Sequence, residues 1–290
     1  MNLKEIKIKH SKKIEQAEID LLLSFVLKKP VEFILSHPEK STTKIQEKKI
    51  KELIQRRIKG EPIAYLIGKK EFFGLDFFVN KNVLIPRPET EIMVEEILSE
   101  LGKGNKKTSV LDMGCGSGNI IISLLKNSVG KNVKLLASDI SKEALKVAGK
   151  NIKKQDQEKR IKLFLSDLLN NKKLIKELIG IDRLIIAANL PYIPNAYLSQ
   201  KKTIKTIGLK YEPRLALAGG RDGLDIYKRL IKETLKIKDS FPKLRIISFY
   251  EIELKQKQIL QRYVQENTKR VKIEFLKDLA DKWRFCKITF

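Results

Sequence analysis

The 290-residue sequence predicts an α/β protein: an open, mostly parallel sheet with one antiparallel strand and helices on both faces, behind a small helical N-terminal domain and a β-hairpin linker. From about Thr108, short apolar runs alternate with amphipathic stretches, as in strand–helix–strand units that pair in parallel. The last two runs have no helix between them, so one of their strands runs against its neighbours. Ahead of Gly60 the apolar residues recur at helical spacing.

Ile14, Ala17, Leu21, Leu22 and Phe25 predict a helix over 12–27, and Ile45, Ile50, Leu53, Ile54 and Ile58 a second from Thr43 to Lys59, stopped by Gly60 and Pro62. Pro30 and Pro38 bracket a short apolar turn, Val31 to Leu35. Tyr65-Leu66-Ile67, Phe72-Phe73 and Phe77-Phe78-Val79 favour β structure, with Gly68 and Gly74 as breaks, so a hairpin is expected over Ala64 to Val79. This divides the chain into a helical domain with its hairpin, 1–82, and a second domain, 83–290. Pro88 suits the first turn of a helix to about Leu101, with Glu89 and Glu91 at its positive end. Strands follow at Ser109–Asp112, Val133–Ser138, Ile161–Leu165, Arg183–Ala188, Leu244–Phe249, Val271–Phe275 and Phe285–Thr289. Helices are expected at Ile120–Lys126, Lys142–Lys153, Leu168–Leu178, Gly223–Ile237 and Leu254–Val264.

Composition narrows the chemistry. With 42% apolar residues there is material for a core. The two cysteines, Cys115 and Cys286, make neither a disulfide framework nor a CxxC zinc site, and His10 and His37 are the only histidines, so no metal site is expected. No apolar run approaches the roughly 20 residues of a membrane span, and Met1 to Glu5 lacks the apolar core of a signal peptide, which points to the cytoplasm. The net charge of +25 is spread almost evenly, +6 over residues 1–80 and +19 over the rest. Nucleic-acid binders cluster their charge, so the surplus reads as compositional and no specific nucleic-acid partner is expected.

Val110 to Asn119 is a strand, a tight turn holding Gly114, Gly116 and Gly118, and the start of a helix. Glycines there admit a ligand to the backbone, and the helix start offers free N–H groups. Asp139, closing the next strand, is placed to accept both hydroxyls of a ribose. The spacing is GxGxG, without the third spaced glycine of a dinucleotide fingerprint, and the pattern resembles the S-adenosylmethionine loop of class I methyltransferases more than a nicotinamide site. Cys115 has no nearby His or Lys to activate it and reads as a small turn residue.

The apolar strand Leu184 to Ala188 ends abruptly in Asn189-Leu190-Pro191-Tyr192. The Asn189 side-chain oxygen and the Leu190 carbonyl can each accept one N–H of a planar NH₂ group, holding a weakly nucleophilic nitrogen in line with a methyl donor. Tyr192 can stack on the flat face of that group, and Pro191 holds the turn.

Three further stretches are Gly60 to Gly68 with Glu71 to Gly74, Val83 to Glu91 (with Pro86-Arg87-Pro88-Glu89-Thr90-Glu91), and Tyr211 to Leu217 with Gly219 to Tyr227. With the glycine loop and the tetrapeptide, they resemble the release-factor glutamine methyltransferases (the PrmC/HemK family) from about residue 15 to the C-terminus. The resemblance implies a Rossmann-like class I methyltransferase domain behind a helical substrate-recognition domain. The implied reaction is methylation of the glutamine amide in the Gly-Gly-Gln loop of class 1 peptide chain release factors. It implies that Gly114, Cys115, Gly116, Ser117, Gly118 and Asp139 hold S-adenosylmethionine, with Leu168 against its adenine. Asn189 then touches both cofactor and substrate, and Leu190, Pro191 and Tyr192 complete the glutamine pocket. Leu190 replaces the first proline of the family's usual Asn-Pro-Pro-Tyr, Leu168 stands where some members have an aromatic residue, and Glu253 stands where Gly is usual. Asn-Leu-Pro-Tyr also occurs in rRNA adenine dimethyltransferases, whose helical domain follows the catalytic one; here it precedes. A non-catalytic RNA- or ribosome-binding protein on the same fold is the third alternative.

Overall fold

The computed structural model describes residues 1–104, 106–127, 130, 132–157, 159–199, 204–268 and 271–290. Its contacts separate two compact units, one comprising Met1–Lys69 and Lys202–Tyr211, the other Lys70–Lys201 and Glu212–Phe290.

The first unit is helical: α1 (Leu3–His10), α2 (Gln16–Leu27), α3 (Val31–Ser36), α4 (Lys44–Ile58) and α5 (Ile63–Ile67). Asn2 with Glu5, and Thr43 with Gln46, form capping boxes that satisfy the first N–H groups of α1 and α4. Leu3, Ile6, Ile19, Leu22, Leu23, Ile34, Leu53 and Ile54 form the core. Two sequence expectations change. The helix expected from residue 12 starts at Gln16, after a separate helix, Leu3–His10, where no element was expected. Tyr65-Leu66-Ile67 is helical because Pro62 starts a turn that Gly68, at φ +69°, closes.

The hairpin is therefore shorter, β1 (Lys69–Phe72) and β2 (Leu75–Phe78), turning through Phe73 and Gly74 at φ +51° and +72°. Positive φ at both central residues matches the right-handed twist of the strands. Buried Asn151 grips β2, accepting from the Phe78 N–H at 2.7 Å and donating to its carbonyl at 2.9 Å.

The larger unit continues with α6 (Glu91–Leu101), β3 (Thr108–Met113), α7 (Asn119–Lys126), β4 (Val133–Asp139), α8 (Lys142–Lys154), β5 (Ile161–Leu165), α9 (Lys172–Lys176), β6 (Arg183–Ala188), α10 (Asn195–Ser199), α11 (Asp225–Ser240), β7 (Arg245–Glu251), α12 (Lys257–Asn267), β8 (Lys272–Lys277) and β9 (Trp283–Thr289). The sheet order is β5–β4–β3–β6–β7–β9–β8, and β9 pairs antiparallel with both neighbours while the other pairings are parallel. Every residue of β3 and β6 is buried, polar Thr108, Ser109, Asp112 and Arg183 included, as befits central strands covered on both faces. Two apolar clusters fill the faces, one around Tyr227 and Tyr250 under α11 and α12, the other around Ile121, Leu124 and Phe249 under α6 and α7.

The helix expected from Leu168 contracts to Lys172–Lys176, because Leu168 takes φ +51° and Asn171 caps the later start by accepting from the N–H groups of Lys173 and Leu174. Leu254–Gln256 is a 3₁₀ turn ahead of α12, and Pro88–Thr90 another ahead of α6. Among the described residues no helix is long and apolar enough to cross a membrane.

Candidate active site

Strand register brings the predicted residues together. Met113 pairs with Ser138 on one side and Ala188 on the other, so Gly114, Asp139 and Asn189 leave the sheet side by side. Ala188 pairs in turn with Tyr250, which sets Glu251 beside Asn189. All four lie at the carboxyl edge, where open α/β sheets bind ligands.

The glycine turn is pinned to the neighbouring strand: the N–H groups of Gly114 and Cys115 both donate to the Ser138 carbonyl, at 2.8 and 2.9 Å. Asp139 completes the tie, its Oδ2 accepting from the Gly116 N–H at 2.9 Å and its Oδ1 from the Ser141 N–H at 2.8 Å. Burial pushes its carboxyl up against these bonds. Each oxygen keeps lone-pair capacity for a further donor. Asp112, beneath the turn, accepts from the Ile121 N–H at 3.3 Å and is pushed up to about 7 by burial. Burial likewise raises the Cys115 thiol, which leaves it a small apolar turn residue.

A cavity of about 250 Å³ opens above this edge, lined by Gly114, Cys115, Gly116, Ser117, Asp139, Leu168, Asn189, Leu190 and Pro191, with Arg87, Thr90 and Ile140 among its other walls. The glycines differ in role. A Cβ on Gly116 would stand in open space, at a position of the turn that lines the cavity. A Cβ on Gly114 would lie 2.7 Å from Leu190 Cδ2, so this glycine lets the tetrapeptide close over the loop. Gly118 is not a wall of the cavity; its missing Cβ leaves room for Ile122 of α7 and Ala148 of α8.

Asn189 is held by one chain of hydrogen bonds. Its Nδ2 donates to Thr90 Oγ1 at 3.1 Å, and Thr90 Oγ1 donates to Glu251 Oε2 at 2.6 Å. The Asn189 Oδ1 is buried and has no partner. The Leu190 N–H donates to the Tyr227 hydroxyl at 3.0 Å, a bond that proline at 190 could not make, and Tyr227 donates to the Glu251 carbonyl at 2.6 Å. The Leu190 carbonyl has a long contact with that hydroxyl, 3.5 Å. Tyr192 does not line the cavity; its hydroxyl donates to Glu251 Oε1 at 3.1 Å. Burial pushes the Glu251 carboxyl up, while the Thr90 and Tyr192 hydroxyls and the Arg284 charge pull it down.

Behind the tetrapeptide, Gln256 donates to the carbonyls of Tyr192 (2.7 Å) and Asp222 (3.2 Å), and its Oε1 accepts from the Glu253 N–H at 2.9 Å. The turn with Glu253 in place of Gly is thus a capped 3₁₀ turn that carries this clamp. The resemblance implies that the Pro86 to Glu91 segment borders the active site, and Pro86, Arg87 and Thr90 do line the cavity. The individual roles of Thr90 and Tyr227, and Glu251 and Gln256 altogether, escape motif reading. The available signal was Glu251, an acid ending an apolar strand as Asn189 does.

The residues fit S-adenosylmethionine: Gly116 leaves the backbone open where a Cβ would project, and a carboxylate able to take a diol stands at the same edge.

Comparisons with known proteins agree with this arrangement. Residues 7–68 match the PrmC N-terminal domain and residues 104–266 a methyltransferase domain. The chain is 35% identical over 272 residues to the release factor glutamine methyltransferase of Clostridium botulinum, covering 94% of this chain and 91% of that one. It is 39% identical over 218 residues to the enzyme of the same name from Clostridium acetobutylicum, covering 75% and 73%. Among solved structures, the hMettl16 catalytic domain in complex with MAT2A 3'UTR hairpin 1 is similar in fold, with a TM-score of 0.56 at 14% identity, over 85% of this chain and 80% of that chain.

Proposed function

The chain belongs to the release factor glutamine methyltransferase family, and we propose that it methylates the side-chain amide nitrogen of the glutamine in the Gly-Gly-Gln loop of class 1 release factors, in the cytoplasm. Its methyl donor is S-adenosylmethionine. When bound, S-adenosylmethionine supplies an electrophilic methyl group on a sulfonium sulfur. The turn from Gly114 to Gly118, with Cys115 and Ser117, would hold it, Asp139 would accept its ribose hydroxyls, Leu168 would pack on its adenine and Asn189 would border it.

An amide nitrogen is a poor nucleophile because its lone pair is delocalised. The Asn189 Oδ1 and the Leu190 carbonyl accept one N–H each. This fixes the direction of the nitrogen and raises its electron density as the new bond forms, an interaction that strengthens toward the transition state. Pro191 shapes the turn, and Tyr192, anchored through its hydroxyl to Glu251, holds the tetrapeptide from outside the cavity. The surplus proton leaves the nitrogen after it carries the methyl, so no histidine is called for. The helical N-terminal domain (1–82) is read as the part that recognises the release factor.

The observation that carries this reading is the buried, unpartnered Asn189 Oδ1 beside the glycine turn, since a buried acceptor without a donor is costly unless a ligand supplies one. The test offers a release factor and rRNA side by side with labelled S-adenosylmethionine and maps the label by mass spectrometry. A methyl on the Gly-Gly-Gln glutamine is expected; label on rRNA adenine, or on another release-factor residue, would contradict the proposal.

A further inference from the structure

The amide of Asn189 is nearly symmetric in shape but not in chemistry, since one end accepts and the other donates. We propose that Thr90 and Glu251 act as positioning residues that decide which end faces the substrate; this rests on the acceptor role given to Asn189 above.

The Thr90 hydroxyl has a single proton. Glu251 Oε2 lies 2.6 Å away, against 3.1 Å for Asn189 Nδ2, so the proton goes to the carboxylate and the hydroxyl oxygen is left to accept. Asn189 must then turn its NH₂ to Thr90, and its oxygen is the atom that remains free. If the amide were reversed, its oxygen would face a hydroxyl whose proton is committed, and its NH₂ would meet the NH₂ of the target amide.

Glu251 is itself fixed. Its Oε1 accepts from Tyr192 at 3.1 Å, its carbonyl accepts from Tyr227 at 2.6 Å, and its backbone pairs with Phe285 on β9. Thr90 has no competing task. It occupies the N-cap position of α6, where threonine commonly caps, yet its side chain makes no capping bond. A residue 99 positions from Asn189 and another 161 positions from Thr90 are thus joined in one directional chain.

The experiment compares Thr90→Val, Thr90→Ser and Glu251→Gln with the wild-type chain on a release factor, with S-adenosylmethionine affinity by calorimetry and melting temperature in parallel. Valine keeps the shape of threonine without its hydroxyl; glutamine at 251 can turn its own NH₂ to Thr90 and free the hydroxyl proton for Asn189. Thr90→Val and Glu251→Gln are each expected to lower kcat roughly 10- to 100-fold, with cofactor affinity and melting temperature nearly unchanged. Thr90→Ser should stay within about threefold of wild type. A merely structural role would move melting temperature and cofactor affinity and would not be rescued selectively by serine. Wild-type kcat in Thr90→Val or Glu251→Gln, or a Thr90→Ser as slow as Thr90→Val, overturns the proposal; should Thr90→Val fail to fold, Glu251→Gln decides by the same criterion. Asn189→Ala separates the two levels: inactive Asn189→Ala beside fully active Thr90→Val overturns the relay alone, whereas fully active Asn189→Ala removes the reading beneath it.

Discussion

Gly219 passes so close to Pro191 that a Cβ on it would lie 2.6 Å from the Pro191 carbonyl oxygen, and 2.7 Å from the Tyr192 Cα. The neighbours are backbone atoms, so alanine at 219 cannot be absorbed by a side-chain rotation. The Ile193 N–H to Leu217 carbonyl bond (3.0 Å) and the Gly219 N–H to Ile193 carbonyl bond (2.9 Å) lock the two segments together.

Gly219→Ala is therefore expected to shift the tetrapeptide and lower kcat about tenfold or more, with S-adenosylmethionine affinity little changed. Steady-state kinetics and calorimetry on the same preparation check this.

Asp139 has two duties, tying down Gly116 and offering its remaining lone pairs at the cavity edge. Asp139→Ala should raise the Kd for S-adenosylmethionine tenfold or more, about 1.4 kcal/mol or more, with a smaller effect on kcat at saturating cofactor. Unchanged affinity in titration calorimetry would remove Asp139 from the cofactor site.

Gly116 and Gly118 look alike in the sequence but should respond differently to alanine. Both have positive φ, +53° and +78°, so each substitution carries backbone strain of about 1–2 kcal/mol. The added Cβ at 116 enters the open side of the turn, whereas at 118 it presses on Ile122 Cδ1 at 3.3 Å. Gly116→Ala should cost mainly cofactor affinity, and Gly118→Ala mainly melting temperature.

Much of this architecture is legible in the sequence because each central strand is a short apolar run closed by a distinctive residue. The glycine turn, Asp139 and Asn189 stand out for that reason, and their convergence follows once the strands pair in parallel. What stays hidden depends on register and distance along the chain. Glu251 reads as the end of a strand, and its meaning appears only when Ala188 pairs with Tyr250. Thr90 lies in the Pro86 to Glu91 segment that the resemblance places at the site, but the sequence does not show that its hydroxyl is committed to Glu251. Local β propensity misled at Tyr65-Leu66-Ile67, where Pro62 and Gly68 enclose a single helical turn. Helical periodicity misled at Leu168, whose left-handed backbone puts it in the cavity wall rather than in a helix.

Asp112 gives a pH signature. The unfolded chain releases its proton near 3.8, while the folded protein holds it to about 7 because burial disfavours the charge. Between these values the folded state binds more protons, so the group's contribution to stability is full below about pH 4 and is lost as pH rises to about 7. The total is on the order of 4 kcal/mol. Asp112→Asn removes this dependence, so the stability of the wild type relative to the variant should fall across that window in denaturant titrations. A flat difference would show that Asp112 ionises normally in the fold.

The central claim is that Asn189 activates the target amide by accepting from it. Single-turnover methyl transfer to a release factor by Asn189→Ala, with S-adenosylmethionine saturating and its Kd measured alongside, tests this most directly. The rate should fall about 10²- to 10³-fold with the protein folded and the cofactor bound. Transfer within a few-fold of wild type under those conditions would contradict the claim.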